Sequence, residues 1–67
     1  MTFNEFLNSD LSKYSIKNEK GTYFCFGKAI YCGETQWLVV YNYLHNQDII
    51  ITSFDDLKIY GLELEEN

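Results

Sequence analysis

The stretch that decides the fold is residues 36 to 43, Gln-Trp-Leu-Val-Val-Tyr-Asn-Tyr. Aromatic and β-branched residues dominate it, which is the composition of a β-strand. Successive strand residues point to opposite faces of a sheet. Two sets of side chains result, on opposite faces: Trp37, Val39 and Tyr41, and Leu38 and Val40. The strand is therefore apolar on both faces, and its neighbours in the chain must pair with it.

Further segments on both sides have the alternation or composition of strands. They are residues 14 to 17, 22 to 32, 49 to 52 and 60 to 65. The second of these carries Gly27 in its middle, and a glycine inside a strand suggests a bulge or a bend. A bulge changes the face that later residues occupy, so Phe24 and Phe26 need not share a face with Ile30.

Two short helices are predicted from their starts. Thr2 followed by Glu5 matches a capping box, in which each side chain bonds the other residue's backbone amide. Apolar residues then recur at helical spacing, at Phe3, Phe6, Leu7, Leu11 and Tyr14. The sequence leaves the end of this helix open: the periodicity continues to Tyr14, whereas Ser9 and Asp10 offer an earlier end, because their side chains compete for backbone hydrogen bonds. Ser53 to Asp56 resembles a second capping-box start, for a single helical turn, after a polar loop at residues 45 to 48.

These elements predict an α+β fold for residues 1–67, a single small domain in which the N-terminal helix packs on a four- to five-stranded antiparallel β-meander. One short helix covers only one face of a sheet, yet the central strand is apolar on both faces. Aromatic surface is therefore left uncovered unless the sheet curls into a barrel or the protein associates.

Catalytic, metal and cofactor sites are not predicted. Nucleophilic catalysis needs an oriented base, and the only histidine, His45, falls in a polar loop. Zinc prefers four ligands at short paired spacing, whereas Cys25 and Cys32 have six residues between them and only His45 to join them. The two cysteines are interpreted as reduced thiols that fill space, with a disulfide as the alternative. The four glycines stand alone, so no phosphate-binding loop is expected.

The sequence predicts neither a membrane segment nor a secretory signal. No apolar run approaches the roughly 18 residues that span a bilayer. The first residues lack a basic region followed by an apolar one. With reduced cysteines, this favours the cytoplasm of a host cell.

Charge is the most informative feature for function. Five lysines, ten carboxylates and no arginine give a net charge of −5, which disfavours direct contact with nucleic-acid phosphates. Residues 55–67 hold five acids against Lys58 alone. The negative field therefore concentrates at the C-terminal end.

Twelve aromatic residues, six of them tyrosine, exceed what so small a core needs and suggest a recognition face. With the acidic end, they predict a protein-binding module for a basic partner, such as a nucleic-acid-binding enzyme. The candidate binding residues are Asp55, Asp56, Glu63, Glu65 and Glu66, with Tyr60, Tyr41, Tyr43 and Trp37. By analogy of size and composition, the hypothesis is a phage or mobile-element inhibitor of a nuclease, anti-CRISPR-like in type.

Other interpretations remain open. In the simplest interpretation, the tyrosines form cross-strand pairs in the sheet and bind no partner. A homodimeric accessory subunit of a housekeeping complex would bury the second sheet face against its own copy. A single-stranded nucleic-acid binder would stack bases on the aromatic sheet face.

Overall fold

The elements follow one another in the predicted order. The computed structural model describes residues 1–31, 33 and 35–67. The elements in them are α1 (Phe3–Leu7), a 3₁₀ turn (Leu11–Lys13), β1 (Tyr14–Asn18), β2 (Tyr23–Tyr31), β3 (Thr35–Asn42), β4 (Gln47–Ile51), α2 (Phe54–Ile59) and β5 (Leu62–Glu66). No helix in the described ranges is long and apolar enough to cross a membrane.

The five strands form one antiparallel sheet in the order β4-β3-β2-β1-β5. The first four strands are a meander, joined by consecutive hairpins. After α2 the chain returns to the opposite edge, where β5 pairs with β1 along its whole length, from Tyr14↔Glu66 to Asn18↔Leu62. The predicted α+β fold is confirmed, and the return of β5 makes it a sheet with acidic residues along one edge.

The core lies between one face of this sheet and the two helices. Leu38 and Val40 of β3 are completely buried, together with Phe6 of α1 and Ile51 of β4. Phe6 also packs on Tyr14 in a T-shaped, edge-to-face arrangement, with ring centroids 5.0 Å apart. Since Leu57 of α2 belongs to the same buried cluster, both helices cover the same side of the sheet.

The N-terminal helix begins where the sequence predicts, and its end, which the sequence leaves open, comes early, at Leu7. The Glu5 amide donates to Thr2 Oγ1 (3.1 Å) and the Thr2 amide donates to Glu5 Oε1 (3.2 Å), which completes the capping box. The Ser9 hydroxyl donates to the Phe6 carbonyl (2.5 Å), and Asp10 accepts from the Ser12 amide (3.1 Å). These side-chain bonds end α1 and start the 3₁₀ turn, as expected for residues that compete with the helix.

The bulge predicted at Gly27 is wrong. Gly27 pairs with Val39 inside an unbroken register that runs from Cys25↔Tyr41 to Tyr31↔Thr35. Regular alternation therefore places Phe24 and Phe26 on the same face as Ile30. A Cβ at Gly27 would meet no other atom within 4 Å. No close neighbour requires a glycine at this position, so the glycine in the sequence does not indicate a bulge here.

Two smaller expectations also need correction. The polar loop predicted at residues 45 to 48 is shorter, because Gln47 and Asp48 already pair with Asn42 and Tyr41. The chain reverses before them, with Asn46 at a φ of 52°. At α2, Ser53 occupies the N-cap position but makes no side-chain cap hydrogen bond, so the second capping box is incomplete.

Candidate protein-interaction face

The face of the sheet opposite the helices, here called the open face, carries the residues of interest. Alternation along each strand and the pairing registers define its members. They are Ser15 and Lys17 of β1, Tyr23, Cys25, Gly27 and Ala29 of β2, Trp37, Val39 and Tyr41 of β3, Asp48 and Ile50 of β4, and Glu63 and Glu65 of β5. No described helix lies over this face.

Exposure distinguishes the two sides of β3 only in part. Leu38 and Val40 are 0% exposed on the helix side, and Val39 on the open face is also buried, at 9%. Tyr41 is 45% exposed on the open face, and Ile50, the register partner of Val39 on β4, is 41% exposed. The open face therefore has a neutral centre, in which Tyr41 and Ile50 form the predicted uncovered surface.

Tyr23 connects the turn after β3 with the acidic edge of the sheet. Its hydroxyl donates a hydrogen bond to Glu65 Oε2 (3.2 Å), and its carbonyl accepts one from the Tyr43 hydroxyl (3.1 Å). The Tyr43 ring, in the turn after β3, also packs on Phe24 with centroids 5.9 Å apart. The set of candidate residues predicted from the sequence omits Tyr23, because both contacts join residues 20 or more positions apart.

The acidic edge is partly neutralised. Lys17 Nζ lies 2.6 Å from Glu65 Oε1. This hydrogen bond, reinforced by the opposite charge, lowers the pKa of Glu65 and raises the pKa of Lys17. Glu63, the register partner of Lys17 on the same face, has no described ion pair. Glu63 and Asp48 are thus the carboxylates of the open face without a described ion pair, and Glu63 adds to the negative field around Lys17.

The nine residues predicted to bind a partner fall on two surfaces. Those at the open face are Trp37, Tyr41, Glu63 and Glu65. Those on the helix side are Asp55, Asp56 and Tyr60 of α2 and the turn after it, and Glu66, which pairs with Tyr14. Tyr43 lies between the two groups, since its ring packs on Phe24 of the core and its hydroxyl donates to the Tyr23 carbonyl.

On the helix side, Asp56 has a structural task. Its Oδ2 accepts hydrogen bonds from the Thr52 amide (2.9 Å) and the Thr52 hydroxyl (2.8 Å), which lower the pKa of the carboxyl. Asp55 is exposed. Tyr60 ends α2 and, with Leu44, His45 and Ile59, lines a surface cavity of about 470 Å³.

The described residues form no metal site and contain one free thiol. No three His, Cys, Asp or Glu side chains within the described ranges are placed to hold a metal ion. Cys25 is an exposed free thiol on the open face. Cys32 lies outside the described residues. The prediction that it is a reduced thiol that fills space therefore concerns a residue that the structure does not describe.

Comparisons with protein-family models, with curated proteins and with solved structures returned no match for this chain. Function therefore has to be argued from the open face itself.

Proposed function

We propose that this protein is a non-catalytic binding module of the cytoplasm that docks its open face on a basic protein surface. The observation that carries the proposal is the exposure of Tyr41 and Ile50 on the open face, where both side chains remain more than two-fifths exposed. Large apolar patches on a soluble domain are typical of interaction sites. Tyrosine suits such sites because it offers contact area at low entropic cost.

The charge around this centre defines the partner. Glu63 and Asp48 border the open face, and the chain as a whole carries −5. A complementary basic surface would gain association rate and orientation from these charges. Basic grooves belong mainly to nucleic-acid-binding proteins, so the proposed activity is inhibition of a nuclease by occupation of its nucleic-acid site, as in anti-CRISPR-like inhibitors.

The available area suits such a contact. The two longer dimensions of the molecule are 33 and 25 Å. They limit a flat contact to roughly 800 Å² per partner, which is the area of a standard stable interface. Direct binding of single-stranded nucleic acid is less well supported, because Lys17, a cation beside the tyrosines, is already paired with Glu65.

The test is capture of a partner with matched variants. Wild-type protein and the Tyr41→Ser and Asp55→Asn variants are immobilised and exposed to host-cell extract. Asp55 lies on the helix side, so Asp55→Asn should retain the partner, whereas Tyr41→Ser should lose it. The purified partner should then lose nuclease activity on addition of the wild-type protein. Equal capture by both variants, or an unaffected nuclease, would contradict the proposal.

The neutral centre of the open face also favours a second candidate, a homodimer. Val39 and Ile50 pair side by side there, and two such faces would pack as a β-sandwich. Sedimentation at high micromolar concentration distinguishes the two candidates. A dimer that Tyr41→Ser converts to a monomer would support self-association and the accessory-subunit interpretation.

A further inference from the structure

A second surface, independent of the open face, lies along one edge of β2. In the described ladder β1 pairs with β2 only at Lys17↔Tyr23 and Ile16↔Phe24. β2 continues to Tyr31, and its other edge is paired with β3 from Cys25 to Tyr31. β2 is thus paired with β1 over its first two residues and with β3 over the rest, where its edge towards β1 has no described strand beside it.

The direction of the backbone groups along this edge follows from one hydrogen bond. The Asn18 amide donates to the Thr22 carbonyl (2.9 Å). Hydrogen-bonded and non-hydrogen-bonded pairs alternate along an antiparallel ladder. Ile16 and Phe24 are therefore the next hydrogen-bonded pair, and the amide and carbonyl of Phe24 point towards β1. By the same alternation those of Phe26, Lys28 and Ile30 point away from β3, where no described strand receives them.

The space beside these groups is open. β1 and β2 separate after Phe24, and a groove of about 410 Å³ lies where they part. Its apolar lining includes Leu11, Tyr14, Phe24 and Phe26. Further along the edge Lys28 is exposed and Ile30 is 63% exposed. A site for strand addition needs unpaired backbone groups and an apolar groove for the side chains of the added strand, and this edge has both.

We propose that the free edge of β2 binds an extended peptide segment of a partner protein, with an acidic residue opposite Lys28. Charge selects this occupant, because Lys28 is the only charged residue of β2. Val-like side chains two positions before and after the acid would face Phe26 and Ile30. A second copy paired about Lys28 would bring two like charges together, which is destabilising.

The two outer edges of the sheet, β5 and β4, carry acidic residues in place of a lysine. β5 carries Glu63, Glu65 and Glu66 along its length, and β4 carries Asp48. Acidic residues on edge strands deter strand addition, and they would repel an acidic peptide. The β2 edge is therefore the one place in the described sheet where backbone groups, apolar contacts and positive charge coincide.

The probe is the acetylated and amidated peptide Thr-Val-Thr-Glu-Thr-Val-Thr, with Thr-Val-Thr-Lys-Thr-Val-Thr as its matched control. Amide hydrogen exchange of the full chain is followed by NMR. In the free protein we expect faster exchange at Lys28 and Ile30 than at Gly27 and Ala29, whose amides point towards β3. The glutamate peptide should slow exchange at Phe26, Lys28 and Ile30, and the lysine peptide should not.

Two variants separate backbone from charge. K28P removes an amide that has no described partner, so it should leave the fold intact and abolish peptide binding, because edge positions tolerate proline. K28Q keeps the amide and should weaken binding by about twofold to fivefold, the equivalent of one cross-strand charge pair. If K28P does not fold, amide exchange in the wild-type protein still tests whether the edge of β2 is free.

Several results would overturn the proposal. Slow exchange at Lys28 and Ile30 in the free monomer would mean that the edge is already paired. No protection at millimolar glutamate peptide, or equal protection by both peptides, would remove the site or its charge preference. A dimer dissociated by K28P would show that a second copy is the occupant.

Discussion

The Tyr23 hydroxyl donates a hydrogen bond to Glu65 Oε2 (3.2 Å) across 42 positions of the chain. The same tyrosine accepts a hydrogen bond from the Tyr43 hydroxyl at its carbonyl. Tyr23 therefore joins the turn after β3 to the acidic edge of the sheet. Neither contact involves residues that are close in sequence.

Removal of this hydroxyl tests the connection. Tyr23→Phe should lower the free energy of unfolding by about 0.5–1.5 kcal/mol, the usual net contribution of one hydrogen bond. The effect should lie towards the lower value because Tyr23 is exposed. Tyr41→Phe is the control, since no described hydrogen bond involves its hydroxyl, and it should change stability less. Equal effects in urea unfolding would argue against the role of Tyr23.

The two sides of β3 should differ sharply in their sensitivity to truncation. Leu38→Ala creates a cavity in the core and should cost about 2–5 kcal/mol. Tyr41→Ala removes a half-exposed side chain and should cost less than about 1 kcal/mol, the scale of a cross-strand pair. Urea unfolding of both variants measures the difference. A large loss in Tyr41→Ala at monomer concentrations would mean that the open face is covered within one chain.

This contrast between Leu38 and Tyr41 is predictable from the sequence, because strand alternation is a local property. The capping box of Thr2 and Glu5 is predictable for the same reason. The separation of β1 from β2 is not, since it depends on where two strands part in space. The division of the candidate residues between two surfaces also escapes the sequence, because charge counts along residues 55–67 carry no information about which layer each residue joins.

At Gly27 the sequence suggests a bulge that the structure does not contain. The unbroken Gly27↔Val39 register and the empty space that a methyl group at this position would enter predict that Gly27→Ala is tolerated. It should raise the free energy of unfolding by about 0.4–1 kcal/mol, because alanine loses less backbone freedom on folding. Thermal unfolding measures this. Gly33, with a φ of 75°, is the matched control, and Gly33→Ala should destabilise. A destabilised Gly27→Ala would restore the predicted bulge.

The ion pair of Lys17 and Glu65 predicts a defined pH dependence. The pKa of Glu65 is lowered from its ordinary value of 4.5, so its contribution to stability is present above that value and is lost as the pH falls through the folded pKa. The pKa of Lys17 is raised from 10.5, so its contribution is present below that value and is lost as the pH rises through the folded pKa. The pair therefore stabilises the fold between these limits.

Lys17→Gln tests this directly. The pKa of Glu65 should rise in an NMR titration, because its main partner is gone, and stability should fall less steeply between neutral and acidic pH. Lys58→Gln is the control, since no described ion pair involves Lys58. An unchanged Glu65 titration in Lys17→Gln would mean that the 2.6 Å contact does not persist in solution.

Charge at the open face should control how fast the proposed basic partner associates. Glu63 is exposed on that face and has no described ion pair, whereas Asp55 lies on the helix side of the molecule. Screening confines the influence of a surface charge to roughly 8–10 Å at physiological salt, so the two variants Glu63→Gln and Asp55→Asn change net charge equally but the field at the interface unequally. Stopped-flow or surface-binding kinetics with the captured partner should show a slower association and a weaker salt dependence for Glu63→Gln alone. If Glu63, Glu65 and Glu66 are all replaced by Gln and neither quantity changes, the acidic edge serves solubility, and the accessory-subunit interpretation replaces inhibition of a nuclease.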